Sequence, residues 1–139
     1  MKAECEFCAI APEEYVFEDE ISAAFLDHRP LFPGHVLLIP KQHYETLGDL
    51  PPALVGPFFR NLQILSGAVE TAMAAEGSFV AINNRVSQSV PHLHVHIVPR
   101  RKKDGLRGFF WPRGKYTSAD EKEAVRRAIR SALETHVNG

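Results

Sequence analysis

Three histidines alternate with apolar residues in the segment 89–99, which reads SVPHLHVHIVP. Alternate side chains of a β-strand face the same side, so His92, His94 and His96 are predicted to share one face of a strand over residues 92–98. Imidazole titrates near neutral pH and can act as a nucleophile, an acid, a base or a metal ligand. The pattern alone leaves three interpretations open: nucleophilic and acid–base chemistry, a three-histidine metal site, and a polar strand face that is rich in histidine by chance.

The segments around this run supply the elements that must position it. Strands are predicted at residues 15–18, 21–26, 35–39 and 79–82. A helix is predicted from residue 52 to about residue 75, because apolar residues recur there every third or fourth position, and Gly77 is expected to end it. A capping box, from Ser118 to Glu121, predicts a last helix to about Thr135. The order strands, helix, strands, helix predicts an α+β fold, with an antiparallel sheet and helices on one face.

The composition limits the class of protein. The chain has 139 residues and a formal net charge of -1, which predicts a single domain over residues 1–139 and argues against nucleic-acid or membrane partners. No apolar run approaches the roughly 20 residues of a spanning helix, and the first residues do not resemble a signal peptide. We therefore expect a cytoplasmic protein. In that reducing compartment two close cysteines favour metal or redox chemistry over a disulfide.

The histidine run at residues 92–98 resembles the motif of the histidine triad (HIT) family, in which three histidines alternate with apolar residues. Further blocks match in the same order along nearly the whole chain: CEFC at 5–8, LD at 26–27, PGHVLLIPKQH at 33–43 and QSV at 88–90. The likeness is greatest to the bacterial and fragile histidine triad branches. It implies a HIT-like fold, with an antiparallel sheet of about five strands, a long central helix and a C-terminal helix.

The resemblance also implies a mechanism. His94 would attack the α-phosphorus of a nucleotide and form a covalent nucleotidyl-histidine, while the carbonyl of His92 accepts the hydrogen on Nδ1 of His94. His96 would hold the phosphate oxygens and assist the leaving group. The implied enzyme is a hydrolase that releases AMP from dinucleoside polyphosphates or nucleoside phosphoramidates. The alternatives are a phosphorylase or nucleotidyltransferase, and a nucleotide-binding adaptor with weak activity.

The same resemblance assigns supporting residues. It places nucleotide or phosphate contacts at Asp27, Asn83, Gln88, Ser89 and His96. Asp27 would bind the ribose hydroxyls, with a turn residue at a strand end as the alternative. His35 would lie behind the reacting groups, with a core histidine whose hydrogen bonds are satisfied as the alternative. The loop 83–88 is about two residues shorter than is usual in the family and lacks glycine, so Asn84 competes with Asn83 as the contact to the leaving group.

The cysteine pair at residues 5–8 is a weak metal signal by itself. Bacterial relatives with this pair bind zinc through four positions, which here are Cys5, Cys8, His43 and His92. Two thiolates and two imidazoles would close a tetrahedral structural site. The alternative is that both cysteines are simply reduced and that His43 is an exposed loop residue.

A basic and aromatic segment follows the histidines. Residues 100–103 and Arg107 are cationic, which is typical of a solvated loop, or would guide polyphosphate toward the site. Residues 108–113 mix aromatic side chains with Arg113 and would pack on a partner subunit or stack on a base. Related proteins form homodimers, so the resemblance implies a homodimer here.

Overall fold

A computed structural model of the chain describes residues 4–106 and 114–138, and the side chains of residues 137 and 138 are not part of that description. It divides into two compact units, Met1–Asp104 and Gly105–Gly139, and each is described here by itself. Arg107 and residues 108–113, to which the sequence assigned guiding or packing roles, lie outside the described residues.

The first unit is an antiparallel sheet covered by one long helix. Its strands are β1 Tyr15–Glu18, β2 Ser22–Leu26, β3 Val36–Pro40, β4 Gly77–Ile82 and β5 Val95–Arg100, and its helix is α1 Pro52–Ala72. The strands are ordered β1-β2-β3-β5-β4 and every neighbouring pair is antiparallel. The second unit contains helix α2, Ala119–Asn138. The predicted α+β fold, with five strands, a long helix and a C-terminal helix, is confirmed.

Two apolar clusters cover the two faces of the sheet, because successive strand residues point to opposite sides. On one face, Leu38, Val95 and Ile97 pack with Phe58 and other residues of α1. On the other face, Leu37 and Ile39 pack with a segment near the N-terminus that includes Cys5 and Phe7. The three histidines alternate with residues that pack on α1, so their side chains lie on the face of the sheet opposite α1.

The helix α1 has the apolar face that the sequence predicts, with one polar exception. Phe58, Leu65 and Val69 are buried as expected, and Asn61 is buried among them. The Asn61 amide donates hydrogen bonds of 2.7 Å both to Oδ2 of Asp19 and to Oγ of Ser22. This polar pair of contacts ties the β1–β2 turn to the helix.

The end of α1 differs from the prediction. The helix stops at Ala72, and Ala74 adopts a left-handed conformation with φ 51°. The N–H of Ala74 bonds to Thr71 O at 3.2 Å and that of Ala75 to Glu70 O at 2.9 Å, which is the Schellman arrangement. Gly77, expected to end the helix, is instead the first residue of β4.

The histidine strand also begins later than predicted. β5 starts at Val95, and His92 and His94 lie in the irregular segment before it. That segment is held by a bond from the N–H of Leu93 to Tyr44 O and by a tight turn from the N–H of His92 to Val90 O. The side-chain alternation nevertheless continues, because Leu93, Val95 and Ile97 all join the α1 cluster.

The helix α2 begins as the capping signal predicts. The N–H of Glu121 donates to Oγ of Ser118 at 3.0 Å, whereas the Glu121 carboxylate reaches back to the N–H of Thr117 rather than to that of Ser118. The helix continues past Thr135 to Asn138. In the described ranges 4–106 and 114–138, neither helix is long and apolar enough to cross a bilayer.

Candidate active site

His94 is held in a single tautomer. Its ring is 3% exposed, and Nδ1 lies 2.7 Å from the backbone oxygen of His92. Because a carbonyl oxygen can only accept, Nδ1 carries the hydrogen of the neutral ring and Nε2 keeps its lone pair. The His92 carbonyl was expected in this role on the family resemblance, and the geometry places it there. A neutral imidazole with a free Nε2 is the form that acts as a nucleophile.

His96 receives its tautomer through a chain of hydrogen bonds. The backbone N–H of Leu31 donates to Nδ1 of His35 at 3.1 Å, so the hydrogen of a neutral His35 ring is on Nε2. That Nε2 lies 3.0 Å from Nδ1 of His96, which therefore accepts. His96 is left with a hydrogen on Nε2, and its ring centroid is 5.1 Å from that of His94. The ring of His94, with a lone pair on Nε2, thus lies beside the ring of His96, with a hydrogen on Nε2.

Burial keeps the supporting imidazoles neutral. Burial, together with the nearby rings of His94 and His35, lowers the pKa of His96 to about 4, and Asp27 acts in the opposite direction. Burial also lowers the pKa of His35, against the opposing effect of Asp27. At neutral pH both rings are therefore uncharged, and the hydrogen-bond chain described above is the populated arrangement.

Asp27 lies at the edge of this pair of histidines. Its Oδ2 is 3.6 Å from Nε2 of His35, and its Oδ1 accepts the N–H of Arg29 at 2.9 Å. The metal-ligating atoms of Asp27, His35 and His96 lie within 4.8 Å of one another. The Leu31 N–H argues against a metal there, because it occupies the Nδ1 lone pair of His35 and leaves a hydrogen, not a lone pair, on Nε2.

Phe7 is a site residue that sequence reasoning missed. Its ring meets the ring of His94 edge to face, with centroids 4.9 Å apart and an angle of 85° between planes. It also contacts the ring of Phe25 at 5.3 Å. The sequence does show an aromatic residue between the two cysteines, which could have marked Phe7 as a candidate. Its contact with His94, 87 residues further along the chain, is made only in the folded protein.

The shortened loop after β4 is fixed to a neighbouring loop. Oδ1 of Asn84 accepts the N–H of Leu47 at 2.9 Å, and Nε2 of Gln88 donates to Glu45 O at 2.6 Å. Arg85 and Ser87 both have positive φ, 67° and 61°, which lets a short loop turn without glycine. Asn84 and Gln88 thus use side-chain atoms to hold the loop, whereas Asn83 is half-buried and Ser89 is exposed.

The two cysteines meet two distant histidines. The ligand atoms of Cys5, Cys8, His43 and His92 all lie within 4.8 Å of one another. Nδ1 of His92 is 3.4 Å from Cys5 Sγ and 3.5 Å from Cys8 Sγ, and Nδ1 of His43 is 3.4 Å from Cys8 Sγ. Sulfur and nitrogen ligands of tetrahedral zinc are about 3.5 Å apart, given bonds of about 2.3 and 2.0 Å. We call these four residues the Cys/His cluster.

The tautomer of His92 supports the fit of the Cys/His cluster to a metal. Nε2 of His92 lies 2.8 Å from Pro40 O, so Nε2 carries the hydrogen and Nδ1 directs a lone pair at the thiols. Burial lowers the pKa of His92 to about 4, which keeps the ring neutral as a ligand must be. A cavity of about 400 Å³, lined in part by His43, Glu4 and Glu45, leads to the cluster.

The three-histidine metal site is not what the fold builds. His92 turns its ring to the thiols, and His94 joins neither of the metal-compatible groups found within residues 4–106 and 114–138. The run is instead divided between two neighbouring sites: His92 serves the Cys/His cluster with its ring, while His94 and His96 face each other.

Two of the four cationic side chains at residues 100–103 bind groups of the protein. Arg100 pairs with Asp104, at 2.6 Å between Nε and Oδ2, and the guanidinium of Arg101 donates to Met73 O. The backbone N–H of Lys102 bonds to Glu76 at 2.9 Å. The side chains of Lys102 and Lys103 are exposed, as expected of a solvated loop.

Fold and site together define a sheet protein in which a histidine with its Nδ1 bonded to a carbonyl lies beside a second histidine. The chain belongs to the HIT domain family, whose domain matches residues 9–103. It is 35% identical to an uncharacterized HIT-like protein of Mycobacterium tuberculosis over 136 residues, covering 93% of this chain and 92% of that protein. The solved structure of a HIT family member from Bacillus subtilis aligns with TM-score 0.81 at 31% identity, covering 92% of this chain and 96% of that one.

The proteins to which the chain is similar include some that are named as enzymes. The chain is 34% identical to adenylylsulfatase HINT3 of Arabidopsis thaliana over 76% of its length, and 38% identical to bis(5'-nucleosyl)-tetraphosphatase (asymmetrical) of Schizosaccharomyces pombe over 63%. It spans only 57% and 50% of those two proteins. A zinc-bound histidine triad protein of Mycobacterium smegmatis aligns with TM-score 0.68 at 34% identity, covering 96% and 97% of the two chains.

Proposed function

We propose that the protein is a nucleotidyl hydrolase, which cleaves dinucleoside polyphosphates or nucleoside phosphoramidates at the α-phosphate and releases AMP. The observation that carries the proposal is the 2.7 Å bond between Nδ1 of His94 and the His92 carbonyl, which leaves the Nε2 lone pair free. One relative is named for a bis-nucleosyl tetraphosphate, which belongs to this substrate class, and another for an adenylyl sulfate, which lies outside it but is also a nucleotide derivative. In each of these compounds, a phosphorus atom attached to a nucleoside also carries the group that would leave.

The reaction proceeds in two displacements. Nε2 of His94 forms a bond to the α-phosphorus, and the bond from phosphorus to the leaving group breaks. A leaving oxygen departs with the electron pair as a polyphosphate anion, whereas a leaving nitrogen first takes a proton from solvent and departs as a neutral amine. His96 offers its Nε2–H to that group or to a phosphate oxygen, where negative charge develops. Water then adds to phosphorus, the phosphorus–nitrogen bond breaks, the lone pair returns to Nε2, and the proton of the water passes to solvent.

The remaining contacts with the nucleotide are proposed from the positions of the side chains around His94 and His96. Asp27 is half-buried beside His35 and would accept hydrogen bonds from the ribose hydroxyls. Ser89 is exposed just before the histidines and would contact phosphate with its hydroxyl, and Asn83 would meet the leaving group. The side chain of Gln88 already bonds to protein groups, so we propose that its backbone N–H, rather than its amide, faces phosphate.

The test is an assay of AMP release from diadenosine tetraphosphate and from adenosine 5′-phosphoramidate. Removal of a covalent nucleophile is expected to lower the rate at least about a thousandfold in His94→Asn. His136→Asn, in which an exposed histidine of α2 is removed, is the matched control and should keep wild-type activity. Equal rates for wild type and His94→Asn would refute the nucleophile, and an intact-mass gain of one nucleotidyl group in wild type alone would support it.

The identity of the acceptor is tested separately. Adding inorganic phosphate during turnover separates water from phosphate, since a phosphorylase would release ADP in place of AMP. An adaptor with residual chemistry would bind AMP in the micromolar range while turning over too slowly to be measured above the His94→Asn background.

We further propose that the Cys/His cluster binds one structural zinc ion. Four protein ligands fill a tetrahedral site and leave no open position, so zinc would tie the N-terminal turn to the central strands. The thiols must be reduced, which agrees with a reducing compartment such as the cytoplasm. Metal analysis should give one zinc per chain in wild type, and much less in Cys8→Ser and His43→Ala.

We also propose that the protein is a homodimer. The strand β4 lies at one end of the sheet, and Val80 on it is 40% exposed. A strand at the edge of a sheet is suited to extension by a second copy. Light scattering after size exclusion should give about twice the chain mass, and Val80→Lys should shift the equilibrium toward monomer.

A further inference from the structure

His92 takes part in two sites at once. Its ring nitrogen Nδ1 faces the sulfurs of Cys5 and Cys8 at 3.4 and 3.5 Å, while its backbone oxygen accepts the Nδ1–H of His94 at 2.7 Å. Its other ring nitrogen is fixed to Pro40 O at 2.8 Å, and the residue is fully buried. Any force that fixes the His92 ring therefore also limits the carbonyl that sets the orientation of His94.

Phe7 makes a second, independent connection. It lies within the turn that begins at Cys5 and ends at Cys8, where the Cys8 N–H bonds to Cys5 Sγ at 3.4 Å. The residue is 7% exposed, and its ring meets the His94 ring and the Phe25 ring in edge-to-face arrangements, with centroids 4.9 and 5.3 Å apart. The positive edge of one aromatic ring is attracted to the face of another, so such a contact favours one ring angle.

We propose that the turn at residues 5–8 positions the nucleophile: metal binding by the Cys/His cluster fixes Phe7 and His92, and these two hold the His94 imidazole in its reactive orientation. Phe7 is then a positioning residue, which acts through His94 and does not touch the reacting atoms. The inference rests on the proposed function, in which His94 attacks phosphorus. It connects the metal to the rate of the chemical step, although no metal contacts substrate.

The expected size of the effect follows from the geometry of attack. Nε2 must approach phosphorus in line with the leaving group, and a small misplacement of a reacting atom costs between about ten- and a hundredfold in rate. Without the Phe7 ring or the metal, the hydrogen bond from Nδ1–H of His94 to the His92 carbonyl still forms part of the time. We therefore expect a partial loss of rate, well short of the loss in His94→Asn.

The first test compares two Phe→Leu variants. Phe7→Leu removes the ring beside His94 and keeps apolar bulk, whereas Phe59→Leu makes the same change on α1, against the opposite face of the sheet. We expect Phe7→Leu to retain one zinc per chain, to lower kcat and the single-turnover rate of His94 nucleotidylation by about tenfold, and to leave KM within about twofold. Phe59→Leu should match wild type in all of these measurements.

Two kinetic outcomes would overturn the proposal. If Phe7→Leu raises KM and leaves kcat unchanged, Phe7 is a wall of the substrate site. If Phe7→Leu and Phe59→Leu have the same rates, Phe7 is packing alone.

The second test does not depend on turnover. The ¹⁵N NMR shifts of the His94 ring report which nitrogen carries the hydrogen, and they are compared in zinc-loaded wild type and after zinc is stripped with a chelator. We expect a single Nδ1–H tautomer with zinc and a mixture of tautomers without it, while circular dichroism shows that the sheet remains. An unchanged Nδ1–H signal in the stripped protein would contradict the proposal, and this arm decides alone if Phe7→Leu fails to fold.

The two proposals fail in different ways. If wild type forms no adduct on His94, the proposed function is wrong, and the tautomer measurement still decides whether the turn positions the ring. If the adduct forms equally fast in wild type, in the stripped protein and in Phe7→Leu, the hydrolase survives and the positioning role is wrong.

Discussion

The backbone N–H of Leu31 donates a 3.1 Å hydrogen bond to Nδ1 of His35, and this bond determines which nitrogen carries the hydrogen in two histidines. Because His35 donates to Nδ1 of His96 across 3.0 Å, the hydrogen of His96 is on Nε2, at the end of this chain of hydrogen bonds. A backbone amide in a proline-rich loop thereby sets the protonation pattern of a site whose histidines lie on another part of the sequence.

The Leu31 bond can be removed without changing a histidine. Leu31→Pro deletes the N–H, and the side chain it replaces is 52% exposed. His35 is then free to adopt either tautomer, and kcat for AMP release is expected to fall about tenfold. This loss is smaller than the roughly hundredfold or more expected when an acid–base group is removed outright, because His35 keeps the original tautomer part of the time. Leu31→Ala keeps the N–H and is the matched control, for which we expect wild-type kcat. Equal kcat values for the two variants would show that the tautomer chain does not matter for turnover.

The buried histidines predict a loss of stability in acid. Burial lowers the pKa of His96 to about 4 in the folded protein, whereas the unfolded chain has a value near 6.5. Between these two values the unfolded state binds more protons, so the stability contributed by His96 is complete above about pH 6.5 and is lost as pH falls through about 4. His96 alone accounts for a slope of at most about 1.4 kcal/mol per pH unit in the free energy of unfolding. Urea titrations at pH 7 and pH 5 should show a smaller difference for His96→Gln than for wild type.

The polar contact between α1 and the β1–β2 turn should be costly to break. Asn61→Ala removes two 2.7 Å hydrogen bonds and leaves Ser22, which is fully buried, with one partner fewer. We expect a decrease of about 2 kcal/mol in the free energy of unfolding. Gln63→Ala, at an exposed position of the same helix, should change it by less than about 0.5 kcal/mol. A decrease no larger for Asn61→Ala than for Gln63→Ala would be inconsistent with this role.

Two glycines are predicted to respond to alanine with opposite signs. Gly34 has φ +95°, and a Cβ there would lie 2.6 Å from Cγ of Met73, so Gly34→Ala should destabilise by about 1–3 kcal/mol. Gly67 is exposed in α1 with open space around it, and Gly67→Ala should stabilise by about 0.5–1 kcal/mol through helix propensity. Thermal unfolding of the two variants against wild type measures both signs, and a stable Gly34→Ala would mean that the turn before His35 adapts.

Much of the fold is encoded locally, and was predictable for that reason. The apolar spacing of α1 follows from the helical period, and the alternation of Leu93, Val95 and Ile97 with the histidines follows from the period of a strand. The boundaries were less accurate, since they depend on contacts from elsewhere: Leu93 is held by Tyr44 O, and Ala74 takes the left-handed conformation that was expected of Gly77.

The sequence by itself determined the inventory of the site: a run of three histidines, a cysteine pair, an acidic residue after β2, and an order of motifs that marks the HIT family. The tertiary structure decided how those groups are divided and protonated. Long-range contacts bring His43 and His92 to the two cysteines, Phe7 to the ring of His94, and the Leu31 N–H to His35. The physical reason is that a sequence cannot distinguish the two nitrogens of an imidazole. The hydrogen-bond partners of the ring in the folded chain determine which nitrogen carries the hydrogen.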